Sequence, residues 1–169
     1  MSNAFVAVLM GSDSDLPVMQ TTLDVLKRLD IRFEVRVTSA HRTPQATHDY
    51  VTDADARGCV AFIAAAGLAA HLAGAVAATT IKPVIGVPLD AGPLQGMDAL
   101  LSTVQMPGGI PVACVAVGKA GASNAAWLAA QIIAVSDPDM AARLRQEREA
   151  NAQAIIAKNE HLQATLGKS

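Results

Sequence analysis

The strongest constraint in this chain is a rhythm. Short apolar runs recur along it, each closed by glycine, proline or a polar cluster and each followed by a stretch with helical spacing. Residues 5–10 (FVAVLM), 59–66 (CVAFIAAA), 84–87 (VIGV) and 112–117 (VACVAV) hold no charged side chain. A strand wet on one face alternates apolar and polar residues, whereas one that is apolar throughout is covered on both faces, as in parallel sheets wrapped by crossover helices. A fifth run, 31–37, alternates Ile31, Phe33, Val35 and Val37 with Arg32, Glu34 and Arg36, and reads as a half-exposed strand near an edge. The expectation is one α/β domain over residues 1–169, a three-layer flavodoxin-like or Rossmann-like parallel sheet with its core at 4–136 and an extra C-terminal helix at 137–165.

The intervening segments fit that scheme. Asp15 is placed to cap a helix in which Pro17 occupies the first turn and Met19, Leu23, Leu26 and Leu29 share a face up to Asp30. Thr43 and Pro44 form a cap and first-turn pair opening a helix to residue 57, with Gly58 as its stop. Further helices are expected at 68–80, 97–105 and 124–135. The last helix mixes Met140, Leu144, Ile155, Ile156 and Leu162 with Arg143, Arg145, Glu147, Arg148 and Glu149; no strand follows, so it docks on its own domain or on a neighbouring subunit.

Composition removes several classes of function. Thirteen Lys and Arg against fifteen Asp and Glu give a net charge of −2, so there is no cationic field for nucleic acid and no polybasic patch for a membrane surface. Residues 59–81 are uncharged and long enough to span a bilayer, but Gly67, His71, Gly74, Thr79 and Thr80 interrupt them and divide them into a strand-like and a helix-like half. Residues 1–4 offer neither a cationic region nor an apolar segment with a cleavage site, so no signal peptide is expected. Cys59 and Cys114 lie in apolar runs without CxxC spacing and read as buried free thiols, consistent with a reducing cytoplasm. With 51% of residues hydrophobic, the chain either buries surface against copies of itself or simply carries an alanine bias.

Ligands of doubly wound sheets bind beyond the carboxyl ends of the strands, which singles out three loops. Gly11-Ser12-Asp13-Ser14-Asp15 joins a glycine and two hydroxyls to a helix start, suited to a phosphate or ribose, or merely to closing a turn. Neither G-x-G-x-x-G nor G-x-x-x-x-G-K-[ST] is present, and Asp13 and Asp15 would repel a phosphate unless a cation offset them. Ser39-Ala40-His41-Arg42 sets an imidazole, the side chain suited to moving protons near neutrality, beside a guanidinium fork, although a His beside a cap is also an ordinary surface residue. The third loop, 65–74, has only small apolar residues and glycine before His71 and would form a dry pocket; His71 itself, placed on an alanine-rich helix, reads as a core or interface histidine. No histidine has metal-ligand partners at a suitable spacing, so no metal is expected.

Taken together, segments 10–15, 39–44, 69–72, 86–88, 104–111 (VQMPGGIP), and 118–121 with 124–132, in this order, resemble the 5-(carboxyamino)imidazole ribonucleotide mutases of bacterial purine synthesis, class I relatives of aminoimidazole ribonucleotide carboxylase. The likeness covers nearly the whole chain. It implies a homo-octamer acting without metal or organic cofactor on a phosphoribosyl imidazole, through transient carbon dioxide. It further implies that Ser12, Asp15 and Arg42 hold the ribose phosphate, with Ser14 and Ser39 as additional contacts. His41 would transfer the proton, and the loop containing Gly67, Leu68 and His71 would hold the migrating carboxylate. Two positions depart from the pattern: Leu68 stands where a second glycine is usual, and Ala73 where proline is usual. Leu68 is expected to reshape the carbon dioxide pocket. Direct carboxylation of aminoimidazole ribonucleotide or a related heterocycle is a second reading, and a noncatalytic nucleotide-binding module a third.

Overall fold

The computed structural model describes residues 4–167, so residues 1–3, on which the signal-peptide expectation partly rests, lie outside it. Five parallel strands, β1 (Phe5–Met10), β2 (Phe33–Val37), β3 (Cys59–Ala66), β4 (Val84–Pro88) and β5 (Ala113–Cys114), form one sheet in the order β2-β1-β3-β4-β5. This is the flavodoxin-like order, with the half-exposed β2 at an edge as its alternation requires. Helices α1 (Leu16–Arg28), α2 (Pro44–Ala56), α3 (Leu72–Ala77), α4 (Met97–Val104), α5 (Lys119–Ala134) and α6 (Pro138–Leu166) complete the fold.

The strand pleat divides the core in two. Val6, Val8 and Met10 of β1, with Ala61, Ile63 and Ala65 of β3, face Met19, Leu23 and Leu26 of α1 and the alanine stripe of α5; Phe5, Ala7 and Leu9, with Phe62 and Ala64, face Val51 of α2 and Leu72 and Val76 of α3. Ala122, Ala125, Ala126, Ala129 and Ala130 are fully buried, and their small volume brings α5 close enough to α1 for the Thr22 hydroxyl to donate to the Ala122 carbonyl at 2.7 Å. The uncharged 59–81 stretch is thus β3, a loop and α3, and among the described residues no helix is long and apolar enough to cross a membrane.

Several boundaries differ from expectation for identifiable reasons. β2 begins at Phe33, not Ile31, because Asp30 adopts φ +55° and the Ile31 N–H donates to the Leu26 carbonyl at 2.9 Å, closing α1 with a Schellman cap. α3 begins at Leu72 instead of 68, since Leu68 has φ +55°, which no helix contains. β5 is only two residues long: the Cys114 N–H turns back onto the Val112 carbonyl. α5 begins at Lys119, five residues before the expected Asn124, and its Gly121 lies so near the Ala116 carbonyl that a Cβ would sit 1.6 Å from the oxygen. Asp15 does not cap α1; Ser12 caps the single 3-10 turn Asp13–Asp15 that precedes it. Thr43 occupies the cap position of α2 without capping it. Cys59 is buried and Cys114 only half-buried; both are free thiols.

Candidate functional site

The strand order turns at β1 and β3: the chain leaves β1 towards β2 and returns to β3 on the other side, so the crossovers diverge and leave a crevice at the carboxyl ends. A cavity of about 600 Å³ occupies it, lined by all nine of the residues named as candidates: Ser12, Ser14, Asp15, Ser39, His41, Arg42, Gly67, Leu68 and His71. Gly11, Ala40, Ala66, Ala69, Leu72 and Ala91 complete the lining. Of these, Ala91 belongs to the β4–α4 loop, where nothing in its chemistry marks it in the sequence.

The loop after β1 is tied by a capping box. The Asp15 carboxylate accepts the Ser12 N–H at 3.0 Å, and the Ser12 hydroxyl oxygen accepts the Ser14 N–H at 3.2 Å. The Ser14 hydroxyl also donates to Ser12 Oγ at 2.8 Å, and the Ser12 hydroxyl donates to Asp13 Oδ1 at 3.2 Å. Burial raises the Asp15 carboxyl above its ordinary value, opposed by the backbone N–H groups of Ser12 and Gly11 and reinforced by the neighbouring charge of Asp13. The cation required beside this acidic loop is supplied by Arg42, whose Nη2 reaches the Gly11 carbonyl at 3.5 Å.

The loop after β2 is pinned from both ends. Thr43 Oγ1 accepts the Ser39 N–H at 2.9 Å, while Ser39 Oγ accepts the N–H groups of His41 at 3.3 Å and Arg42 at 3.1 Å. Ser39 therefore spends its acceptor capacity on the loop and keeps its hydroxyl hydrogen as a donor for a ligand. Beneath it, the buried Thr38 and Thr47 hydroxyls meet at 2.7 Å. The effect is to fix the backbone from which His41 and Arg42 project.

His41 Nε2 lies 2.7 Å from His71 Nδ1, the rings edge to face with centroids 4.9 Å apart. One hydrogen fits between those nitrogens; one on each would set two donors head to head. His71 is thus not the core histidine of an alanine-rich helix. It precedes α3, is exposed, and makes no side-chain cap. The loop before it is apolar, and Leu68, in the left-handed region at roughly 1–3 kcal/mol of backbone cost, contributes its side chain to the cavity wall. A glycine here would adopt that backbone conformation without strain. Ala73 is buried in the first turn of α3, which forms without a proline. Among the described residues no three His, Cys, Asp or Glu side chains gather as a metal-ligand set.

This cavity, with its polar wall, its histidine pair and its apolar wall, is carried by a chain whose residues 5–154 match the AIR carboxylase family. The chain belongs to that family. Its relatives include the N5-carboxyaminoimidazole ribonucleotide mutase of Bacillus subtilis (strain 168), 48% identical over 93% of this chain and 97% of the relative. The protein of the same description from Mycobacterium tuberculosis (strain CDC 1551 / Oshkosh) is 50% identical over 96% of this chain and 92% of its own. Among solved structures, Treponema denticola PurE superposes with a TM-score of 0.85 at 31% identity, covering 94% of this chain and 98% of that one. Membership in the AIR carboxylase family accords with the resemblance carried by the loop motifs and with the flavodoxin-like sheet order.

Proposed function

We propose that this AIR carboxylase family member is a mutase that converts 5-(carboxyamino)imidazole ribonucleotide to 5-amino-4-carboxyimidazole ribonucleotide in purine biosynthesis. The observation that carries the mechanism is the His41–His71 pair, 2.7 Å apart, in one cavity lined by hydroxyls, a guanidinium and small apolar residues. The direct-carboxylation and noncatalytic readings gain nothing from the mutases to which the chain is similar.

Arg42 and the hydroxyls of Ser12, Ser14 and Ser39 take the phosphate, the guanidinium offsetting its charge, and the Asp15 carboxylate accepts from the ribose diol. His41 protonates the exocyclic nitrogen as its bond to the carboxylate breaks, giving the free amine and carbon dioxide. The gas rests against the apolar wall of Ala66, Gly67, Leu68, Ala69 and Ala91. Ring carbon 4 then attacks it, forming the new carbon–carbon bond, and the hydrogen on that carbon returns to His41, so no net proton is consumed. Confinement keeps the second step effectively unimolecular, worth several kcal/mol of barrier by general estimates. His71 holds the His41 ring at its working angle.

The enzyme we propose is a single domain over the whole chain, cytoplasmic, and a homo-oligomer, an octamer by resemblance. Exposed Ile81, Leu94, Met97, Leu101, Val104 and Val135 support self-association. The test is turnover of the carboxyamino substrate in medium containing isotopically labelled bicarbonate. Product free of label is expected; label mixing fully into product, or an absolute requirement for bicarbonate, would overturn the assignment. Sizing in solution tests assembly, and a stable monomer would contradict it.

A further inference from the structure

The β3–α3 and β4–α4 loops interlock by alternating a side chain with a glycine. A Cβ built on Gly67 would lie 2.6 Å from Ala91 Cβ, so the Ala91 methyl occupies the space that glycine leaves. One residue further along each loop the roles reverse: a Cβ on Gly92 would lie 2.6 Å from Leu68 Cδ2, so the leucine side chain lies over bare backbone. Leu68 reaches that position from φ +55° and Gly92 from φ +74°, and Gln95 and Gly96 beyond it are also left-handed. Leu68 and Ala91 both line the cavity, although Leu68 is 51% exposed. A half-exposed leucine in an unfavourable backbone conformation gains little from burial alone. What it does gain is a hold on the neighbouring loop. The polar groups that would hold a phosphoribosyl substrate come from the loops after β1 and β2, whereas Leu68 and Ala91 come from those after β3 and β4, so the Leu68–Gly92 contact joins the two loops that supply the apolar lining against which a released neutral molecule would rest.

We propose that Leu68 is a positioning residue: its side chain clasps the β4–α4 loop through Gly92 and thereby sets how often released carbon dioxide is recaptured and how often it is lost. The inference rests on the mutase reading. Loss takes the substrate's N–carboxylate and one proton to aminoimidazole ribonucleotide and carbon dioxide, with no other reactant.

The test is the ratio of aminoimidazole ribonucleotide to carboxylated product formed by the full-length enzyme, corrected for enzyme-free decay of the substrate. Leu68→Ala keeps the Cβ and the left-handed backbone demand while removing the reach to Gly92, and we expect it to raise that ratio roughly three- to tenfold with the melting temperature little changed. Leu68→Met, long enough to touch Gly92 again, restores the ratio. Gly92→Ala raises it in the Leu68 background, where the new methyl displaces the leucine, but adds little in the Leu68→Ala background, because the backbone strain of alanine at that φ is common to both arms of the cycle. If Gly92→Ala does not fold, the Leu68→Ala and Leu68→Met pair decides alone. An active wild-type enzyme whose ratio is unmoved by Leu68→Ala, or strictly additive effects in the cycle, overturns the clasp. A wild-type protein that does not isomerise the carboxyamino substrate overturns the mutase reading instead, and the clasp's role in recapture with it.

Discussion

Replacing His71 by alanine isolates the histidine pair from everything else in the site. The His71 backbone is held independently of its ring: its N–H donates to the Ala69 carbonyl at 2.9 Å and its carbonyl accepts the Ala75 N–H at 2.9 Å. The ring is exposed and caps nothing, so global stability should fall by no more than the worth of its one hydrogen bond, about 1 kcal/mol. What disappears is the 2.7 Å bond to His41 Nε2. Such a bond is worth about 0.5–1.5 kcal/mol between neutral partners and about 1.5–3 kcal/mol when one carries charge, as His41 would on taking up a proton in the proposed mechanism. At about 1.4 kcal/mol per decade, His71→Ala should lower kcat/KM roughly tenfold to a hundredfold. His41→Asn, which removes the proton carrier, should cost about a hundredfold to ten-thousandfold. In the His41→Asn background the second substitution should cost almost nothing more, because the residue it positions is gone. Steady-state assays with the carboxyamino substrate, paired with thermal melts, measure both quantities. Activity of His71→Ala within about twofold of wild type, or a full second loss in the double variant, would refute the positioning role.

Other consequences follow from particular contacts. The Asp15 carboxyl is raised mainly by burial, so the folded protein favours its neutral form; that stabilisation is present below the unfolded carboxyl's pKa and is lost as pH rises through the folded value. Asp15→Asn should therefore melt no lower than wild type at neutral pH while raising KM, and a large drop in melting temperature would contradict this. Glu34 has the opposite sign. Hydrogen bonding from Arg57, at 2.5 and 2.9 Å, and from Tyr50 holds it below its usual 4.5, so its contribution is present above that value and is lost as pH falls below it. Glu34→Gln should flatten the acid side of a melting-temperature profile, modestly because the pair is partly exposed. Thr22→Val should cost about 1 kcal/mol in denaturant unfolding, since the Ala122 carbonyl loses one donor but belongs to a helical ladder. Leu26→Ala, at a fully buried position between α1 and the sheet, should cost about 2–5 kcal/mol in the same assay.

The central strands β1, β3 and β4 were legible because burial on both faces leaves no other pattern, as in FVAVLM; the same signal over 112–117 overstated β5, which is two residues long and partly exposed. The helix ends were not, because the signals there are conformational. Asp30 and Leu68 sit at φ +55°, where glycine is the usual marker, and neither residue type advertises it. Conversely, Gly118 and Gly121 precede the helix expected from 124 although they begin and pack α5, the second because Ala116 leaves no room for a methyl. Periodicity registers which face is apolar; it is blind to a single residue bent for contact with a neighbouring loop.

The candidate site shows the same division between chemistry and placement. The loops that carry it could be picked out from the sheet class, but each cluster in them also had an ordinary reading as a turn, a cap or a core residue, and the roles rested on the family resemblance. Their partnerships could not be read, because sheet order decides which loops are neighbours. β2 and β3 do not touch; β1 lies between them. Two strand spacings separate their ends by about 10 Å, so His41 and His71 meet only because both side chains reach across that gap. A histidine on the β4 side of the sheet would be one strand too far to join them. The strand order, which no residue in the loops reveals, is what turns two isolated imidazoles thirty positions apart into one hydrogen-bonded pair.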